Sequence, residues 1–443
     1  MRLTALFLCA ALGLPGAAQA NELLHIYELA QQNDAQFQAA AAQRDAAIEA
    51  KPQARAAFLP QISAGYARGR NYQNTSYNNV TEFGPPRHDV FTSDGLQVTL
   101  NQTLFDWQAF EKLRQSDDQV ALAAAAYNSA QQGLVLRVAQ AYFNVLSAAD
   151  SLRSSQAENA ALERQLDLAK KRFEVGLAAI TDVQDAQARY DLVLATRIQA
   201  QQALDNAKEA LAVITGTSAA QLTTLQDDFP LPSPDPSNID QWVSNAKKGN
   251  FDLLTAQLQA DISKRGIDVA WARHLPTVGL LGQYSDGEQG GLLAAQQTTR
   301  QIQLQVSVPI FSGGATQSGV RQAKATYRQY LAQLENQTRL TEQQTRSAYL
   351  GVLAGGALVK ARKQAVLSNT TALDASETGL QVGTRTQVDV LNAEQLLYTA
   401  QRDYYKSRYD YLYAVLQLKA AAGKLTVQDL AEIDRLLIPV AAG

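Results

Sequence analysis

Two kinds of hydrophobic periodicity alternate along this chain. Ile62, Ala64 and Tyr66 fall on one side of an alternating run at 61–70. Leu96, Val98, Leu100 and Leu104 then alternate with Gln97, Thr99, Asn101 and Thr103. Period-two alternation predicts strands with one oily and one wet face. The pattern returns downstream, where Trp271-Ala-Arg-His-Leu-Pro276 matches Arg55-Ala-Ala-Phe-Leu-Pro60 and opens a strand through Gln283. Ile302, Leu304, Val306, Val308 and Ile310 alternate with Gln301, Gln303, Gln305 and Ser307 to give a fourth strand. Polar loops are expected at 71–93 and 285–300.

Between the strands the period is helical. An Ala- and Gln-rich stretch from 21 to 51 predicts a helix ended by Pro52. Residues 107–173 hold no proline and one glycine, Gly133, which predicts a continuous helix of about 100 Å at about 1.5 Å per residue. Leu162, Leu166, Ala169 and Phe173 step by four, three and four. After a turn, Val183, Ala186, Tyr190, Val193, Ala200, Leu204, Ala207, Leu211 and Ile214 keep a seven-residue beat up to Gly216. Seams this narrow describe long rods packed side by side.

The turn between those two helices appears twice. Arg172 to Ala186 and Gly379 to Ala393 share Val-Gly, Asp-Val and Ala at a constant offset of 207 positions, 389 minus 182. In each copy a glycine, Gly176 or Gly383, interrupts two heptad patterns, as a helix reversal at positive φ requires. A second long helix is expected over about 316–382. Val390, Ala393, Leu397, Ala400, Tyr404, Tyr411, Ala414, Leu418 and Ala421 then repeat the heptads up to Gly423. The unit is therefore helix, two strands, long helix, turn, helix, twice over. Its boundaries fall at 21–225 and 238–425, joined by a stiff connector at 226–237 that carries Pro230, Pro232, Pro234 and Pro236, with a C-terminal segment at 426–443.

Composition sharpens this picture at the N-terminus. Arg2, an apolar run from Leu3 to Leu14 and Ala18-Gln19-Ala20 form a signal peptide pattern at 1–20. The only cysteine, Cys9, lies inside it, so the exported chain has no disulfide and no thiol for lipid attachment. The 39 basic and 42 acidic residues give a net charge of −3, which offers no case for nucleic-acid binding. No stretch reaches the roughly 18 uninterrupted apolar residues of a spanning helix. A membrane location would therefore be by β-strands, in the outer membrane of a Gram-negative cell.

Four strands cannot close a barrel, since the smallest closed membrane barrels have about eight and open edges are not tolerated in lipid. Several chains must build one barrel. Its polar Gln, Thr, Asn and Ser face makes it a wet tube, continued by helical rods.

The motifs Gly379-Leu-Gln-Val-Gly-Thr-Arg-Thr-Gln-Val-Asp-Val-Leu391, Arg172-Phe-Glu-Val-Gly-Leu-Ala-Ala-Ile-Thr-Asp-Val183, Ala141-Tyr-Phe-Asn-Val-Leu146, His274-Leu-Pro276 and Val308-Pro-Ile-Phe-Ser-Gly-Gly314 resemble the TolC family of outer membrane efflux and secretion channels. The resemblance covers nearly the whole exported chain. It implies a mixed α and β membrane protein: a homotrimer whose twelve-stranded outer-membrane β-barrel takes four strands from each chain. A long periplasmic coiled-coil α-barrel, closed at its tip, continues it. It implies a passive exit duct for drug efflux or type I protein secretion, docked to a periplasmic membrane-fusion adaptor and an inner-membrane efflux pump or ABC secretion transporter. It places a gate at Thr181 and Asp182 in the first turn and Arg385 in the second. A tyrosine of the family's lock falls on Leu380, so one tie is missing. Two constriction aspartates fall on Asp389 and Asn392, so one ring is charged and the other neutral.

Other classes fit less of the chain. No nucleophile elbow, phosphate loop or zinc helix points to an enzyme, and His25, His88 and His274 adjoin no acidic cluster, so neither cofactor nor metal is expected. A secreted coiled-coil adhesin or fibre would explain the heptads and leave the oily strand faces unexplained.

Overall fold

The structure, a computed structural model, describes residues 22–76, 87–217, 223–226, 229–290 and 295–439. The expected signal peptide lies outside these residues. The first elements are α1 (Glu22–Asn33), α2 (Ala35–Ile48), α3 (Ala50–Ala56), β1 (Gln61–Thr75) and β2 (Arg87–Asp106). The first hairpin follows as α4 (Trp107–Glu174) and α5 (Ile180–Thr215), then β3 (Thr223–Leu225), α6 (Ile239–Gly249) and α7 (Phe251–Trp271). A 3-10 turn (Ala272–His274) leads to β4 (Thr277–Gln289), β5 (Ala295–Ser307), α8 (Ala315–Gln381) and α9 (Gln387–Ala421). The chain ends on α10 (Val427–Asp434) and β6 (Leu437–Pro439). No helix among the described residues is long and apolar enough to cross a membrane.

Two compact units form. One comprises residues 43–126 and 254–337; the other comprises the described parts of Met1–Ala42, Tyr127–Leu253 and Thr338–Gly443.

The first unit is built on an antiparallel sheet of order β1-β2-β4-β5. Its register stacks Ile62, Leu100, Gly282 and Ile302 in one row and Ser63, Thr99, Gln283 and Gln301 in the next. Adjacent rows face opposite sides, so one face is apolar near the helical ends of the strands and the other carries amides and hydroxyls. On the apolar face Ile62 is 71% exposed and Ile302 82%. Among the described residues nothing covers them, and β1 and β5 are the edges of the sheet.

The strands outrun the expected loops. Residues 71–75, 87–93, 285–289 and 295–300 continue the ladders, because backbone pairing needs no apolar face once side chains can bond across strands. Asn71 donates to Ser93 Oγ at 2.7 Å and Thr298 to Asp286 at 2.8 Å. The expected loop centres at 77–86 and 291–294 lie outside the described residues.

Pro52 also departs from expectation, since it sits in the first turn of α3 rather than ending a helix. There a missing N–H is tolerated. The real break is at Asp34, whose carboxylate accepts the Phe37 N–H at 2.6 Å and caps α2.

The core of the second unit joins α1, the middle of α4, the end of α5, the C-terminal half of α9 and α10. A two-stranded β3-β6 sheet closes it. At its centre Arg408 and Asp150, both 1% exposed, pair at 3.4 Å while Tyr409 donates to the same carboxylate at 2.7 Å. This buried pair, α10 and the small sheet had no signature in the heptad pattern.

Candidate functional site: the hairpin tips and the seam between them

Both helix reversals use the same local chemistry. Gly176 has φ 76° and Gly383 φ 78°, values that cost a side chain about 1–2 kcal/mol. In the first, Leu177 N–H donates to Arg172 C=O at 2.7 Å and Gly176 N–H to Phe173 C=O at 3.0 Å. In the second, Thr384 N–H donates to Gly379 C=O at 2.8 Å and Gly383 N–H to Leu380 C=O at 3.3 Å. Each is a Schellman closure, so the orphan carbonyls at the end of the long helix are satisfied.

The helices that leave the tips begin alike. Asp182 Oδ2 accepts the Ala179 N–H at 3.3 Å. At the equivalent place Asp389 Oδ2 accepts the Thr386 N–H at 2.8 Å and its hydroxyl at 2.8 Å, and Thr386 Oγ1 accepts the Asp389 N–H at 3.2 Å. Asp389 is thus the return half of a capping box. The Thr386 N–H, then the Thr386 hydroxyl and the Arg385 guanidinium, hold its carboxyl below the usual carboxylate range.

Arg385 is exposed at the tip, but its stem is not free. A Cβ on Gly379 would lie 2.5 Å from Arg385 Cγ, so only glycine lets the arginine fold back over the helix end. The first turn has Arg172 there instead. Thr181 is exposed, Asp182 half-buried, and among the described residues no hydrogen bond or ion pair joins Arg385 to either. Leu380 is half-buried and carries no polar tie.

Above the tips α9 packs against the first hairpin through Leu162, Val193 and Leu391. Polar links flank this cluster. Arg189 on α5 donates to Asn392 Oδ1 at 2.8 Å and Gln395 Oε1 at 2.6 Å. Gln387 donates to Gln165 at 3.2 Å, and Gln165 donates to Glu394 Oε1 at 3.4 Å. Farther along, Arg402 pairs with Glu158 at 2.6 Å. Glu394 is 3% exposed and its Oε2 has no partner among the described residues; burial pushes its carboxyl up to about 7. Sequence reasoning placed Asn392 but missed Arg189 and Glu394, which read there as ordinary charges on a helix face. His25, His88 and His274 remain apart, and no metal-holding group occurs among the described residues.

The sequence matches the family described as Outer membrane efflux protein over residues 26–217 and 242–424. The chain belongs to this family. The outer membrane efflux proteins most similar to it include Outer membrane protein TolC of Vibrio cholerae, 38% identical over 441 residues and 98% of each chain. Outer membrane protein TolC of Escherichia coli is 37% identical, with 96% of this chain and 87% of the relative covered. The alkaline protease secretion protein AprF of Pseudomonas aeruginosa is 32% identical over 92% of this chain and 85% of its own. Among solved structures, VceC of Vibrio cholerae superposes with a TM-score of 0.75 at 20% identity, covering 90% of this chain and 96% of that one. The protein is an outer membrane efflux channel of a Gram-negative cell, and the fibre reading finds no support among these relatives.

Proposed function

We propose that three copies of this chain join their sheets edge to edge into a twelve-stranded barrel continued by a periplasmic helical tunnel. The observation that carries this reading is the four-stranded sheet, with two open edges and an apolar face that none of the described residues covers. Open edges and an oily surface are stable together only when neighbouring copies pair the edges and lipid covers the face. The wet face then lines a duct.

Energy comes from an inner-membrane pump or ABC secretion transporter reached through a periplasmic adaptor. Similarity to AprF, an alkaline protease secretion protein, favours protein export as one cargo class beside small-molecule efflux. The tips form the gate. With no bond from Arg385 to Thr181 or Asp182 inside the chain, the closing contact runs from Arg385 to those residues on a neighbouring copy. Asp389, kept ionised by its cap, supplies a negative ring at the constriction, and Asn392 a neutral one.

Purified in detergent, the protein should size as a trimer and give defined conductance steps in a planar bilayer. A stable monomer that stays soluble without detergent would overturn the architecture.

A further inference from the structure

We propose that Arg189 is a specificity-determining residue of the channel mouth, a positive ring that offsets the negative ring of Asp389. The inference rests on the constriction reading above and adds a residue of the opposite sign to it.

Three observations carry it. Arg189 is held on α5 by two neutral amides, with Asn392 Oδ1 at 2.8 Å and Gln395 Oε1 at 2.6 Å. Among the described residues no carboxylate lies within ion-pair distance of it. A guanidinium bound by amides keeps its full charge, because it does not deprotonate in proteins and an amide oxygen neutralises nothing. Finally, Asn392 follows Asp389 by one turn of α9, a rise of about 5 Å. Wherever Asn392 sits in the mouth, Arg189 sits beside it. Arg189 therefore adds its charge one helical turn from Asp389, on the Asn392 side.

The consequence concerns what position 392 does. An aspartate there would bind the guanidinium as an ion pair and leave Asp389 opposed by Arg385 alone. Asparagine holds Arg189 without cancelling it. At positions 389 and 189 each chain then brings one negative and one positive charge to the mouth, and three copies give two rings of opposite sign. Like-signed rings focus a field that draws counter-ions, whereas paired opposite rings flatten it. The mouth is thereby matched to cargo of either charge instead of favouring cations.

The test is reversal potential across a salt gradient, with the full-length protein in planar bilayers and trimer size verified for each variant. Arg189→Gln keeps an amide donor to Asn392 and removes the charge. It should raise potassium-over-chloride permeability several-fold and tighten block by hexamminecobalt(III), while Arg189→Lys stays near wild type. Asn392→Asp with Arg189 intact should shift selectivity less than the Arg189→Gln, Asn392→Asp double variant. If Asp389→Asn lowers cation preference while Arg189→Gln changes neither selectivity nor block, Arg189 lies outside the pore field and the proposal fails alone. If neither variant changes either reading, the constriction lies elsewhere and both proposals fall.

Discussion

Asp182 and Asp389 occupy the same place in the two tips and do the same local work, returning a carboxylate to the backbone N–H that opens a helix. What separates them is their surroundings. Asp389 also binds the Thr386 hydroxyl and lies next to Arg385, whereas Asp182 follows an alanine cap. Asp182 therefore has more of its carboxylate free for a neighbouring copy. An exposed pair of this kind is worth about 0–1 kcal/mol, and a threefold gate holds three. Arg385→Ser and Asp182→Ala should each raise single-channel conductance, most of all together. Gly379→Ala should act in the same direction, since its Cβ displaces the arginine stem. Unchanged conductance in all three variants would count against a charge-held gate.

Glu394 makes a second prediction at this scale. Its native pKa is raised from 4.5 to about 7, so the seam has its full stability below pH 4.5 and loses stability as pH rises through 7. The whole shift is worth roughly 3 kcal/mol per chain. Glu394→Gln can still accept from Gln165 and should remove most of this loss, flattening melting temperature against pH across that window. A flat profile for the unsubstituted protein would show that the carboxyl ionises freely.

At the scale of elements, the strands and turns were legible and their extents were not. The oily-wet alternation placed strands around 61–70, 96–104, 277–283 and 301–310; the ladders hold these residues except Leu104, which falls at a register shift, and 308–310, which follow the end of β5. Apolar alternation marks only the part of a strand whose outer face would meet hydrocarbon in the proposed barrel. Beyond it, cross-strand pairs such as Asn71 with Ser93 prolong the sheet with polar residues that read as loop. The glycines were legible because positive φ is a demand that one residue meets alone. Epitope tags inserted within 77–86 or 291–294, beyond the ends of these hairpins, should be bound by antibody on intact cells. Failure of both tags to bind would reverse the orientation proposed for the sheet.

On the scale of the whole molecule, each element leaves a surface that one chain cannot satisfy. The sheet leaves two edges and an oily face, and among the described residues Arg385 makes no ion pair with Asp182. The proposed repetition of the same chain about an axis would meet both. The tips, with Thr181 and Arg385 exposed, are the proposed contact for an adaptor. Crosslinking in native cells from a photoreactive residue at 384, beside the tip glycine, should capture a periplasmic adaptor. The same group placed at 62 on the oily face should not. Equal capture at both positions would argue against docking at the tip.

The sequence by itself determined the kinds of element, their order, the two reversals and the family, because strand alternation, heptad spacing and positive-φ glycine act over a few neighbouring residues. The tertiary structure decided which distant residues meet. Arg189 and Asn392 lie 203 positions apart and Gln165 and Glu394 229 apart. In a heptad pattern Arg189 and Glu394 look like any solvated charge. Only the packing of α9 against α4 and α5 removes one from water and hands the other to two amides. The Arg408–Asp150 pair and the β3-β6 sheet belong with these, since burial of a charge and pairing of two three-residue strands are properties of neighbours in space, which no local spacing encodes.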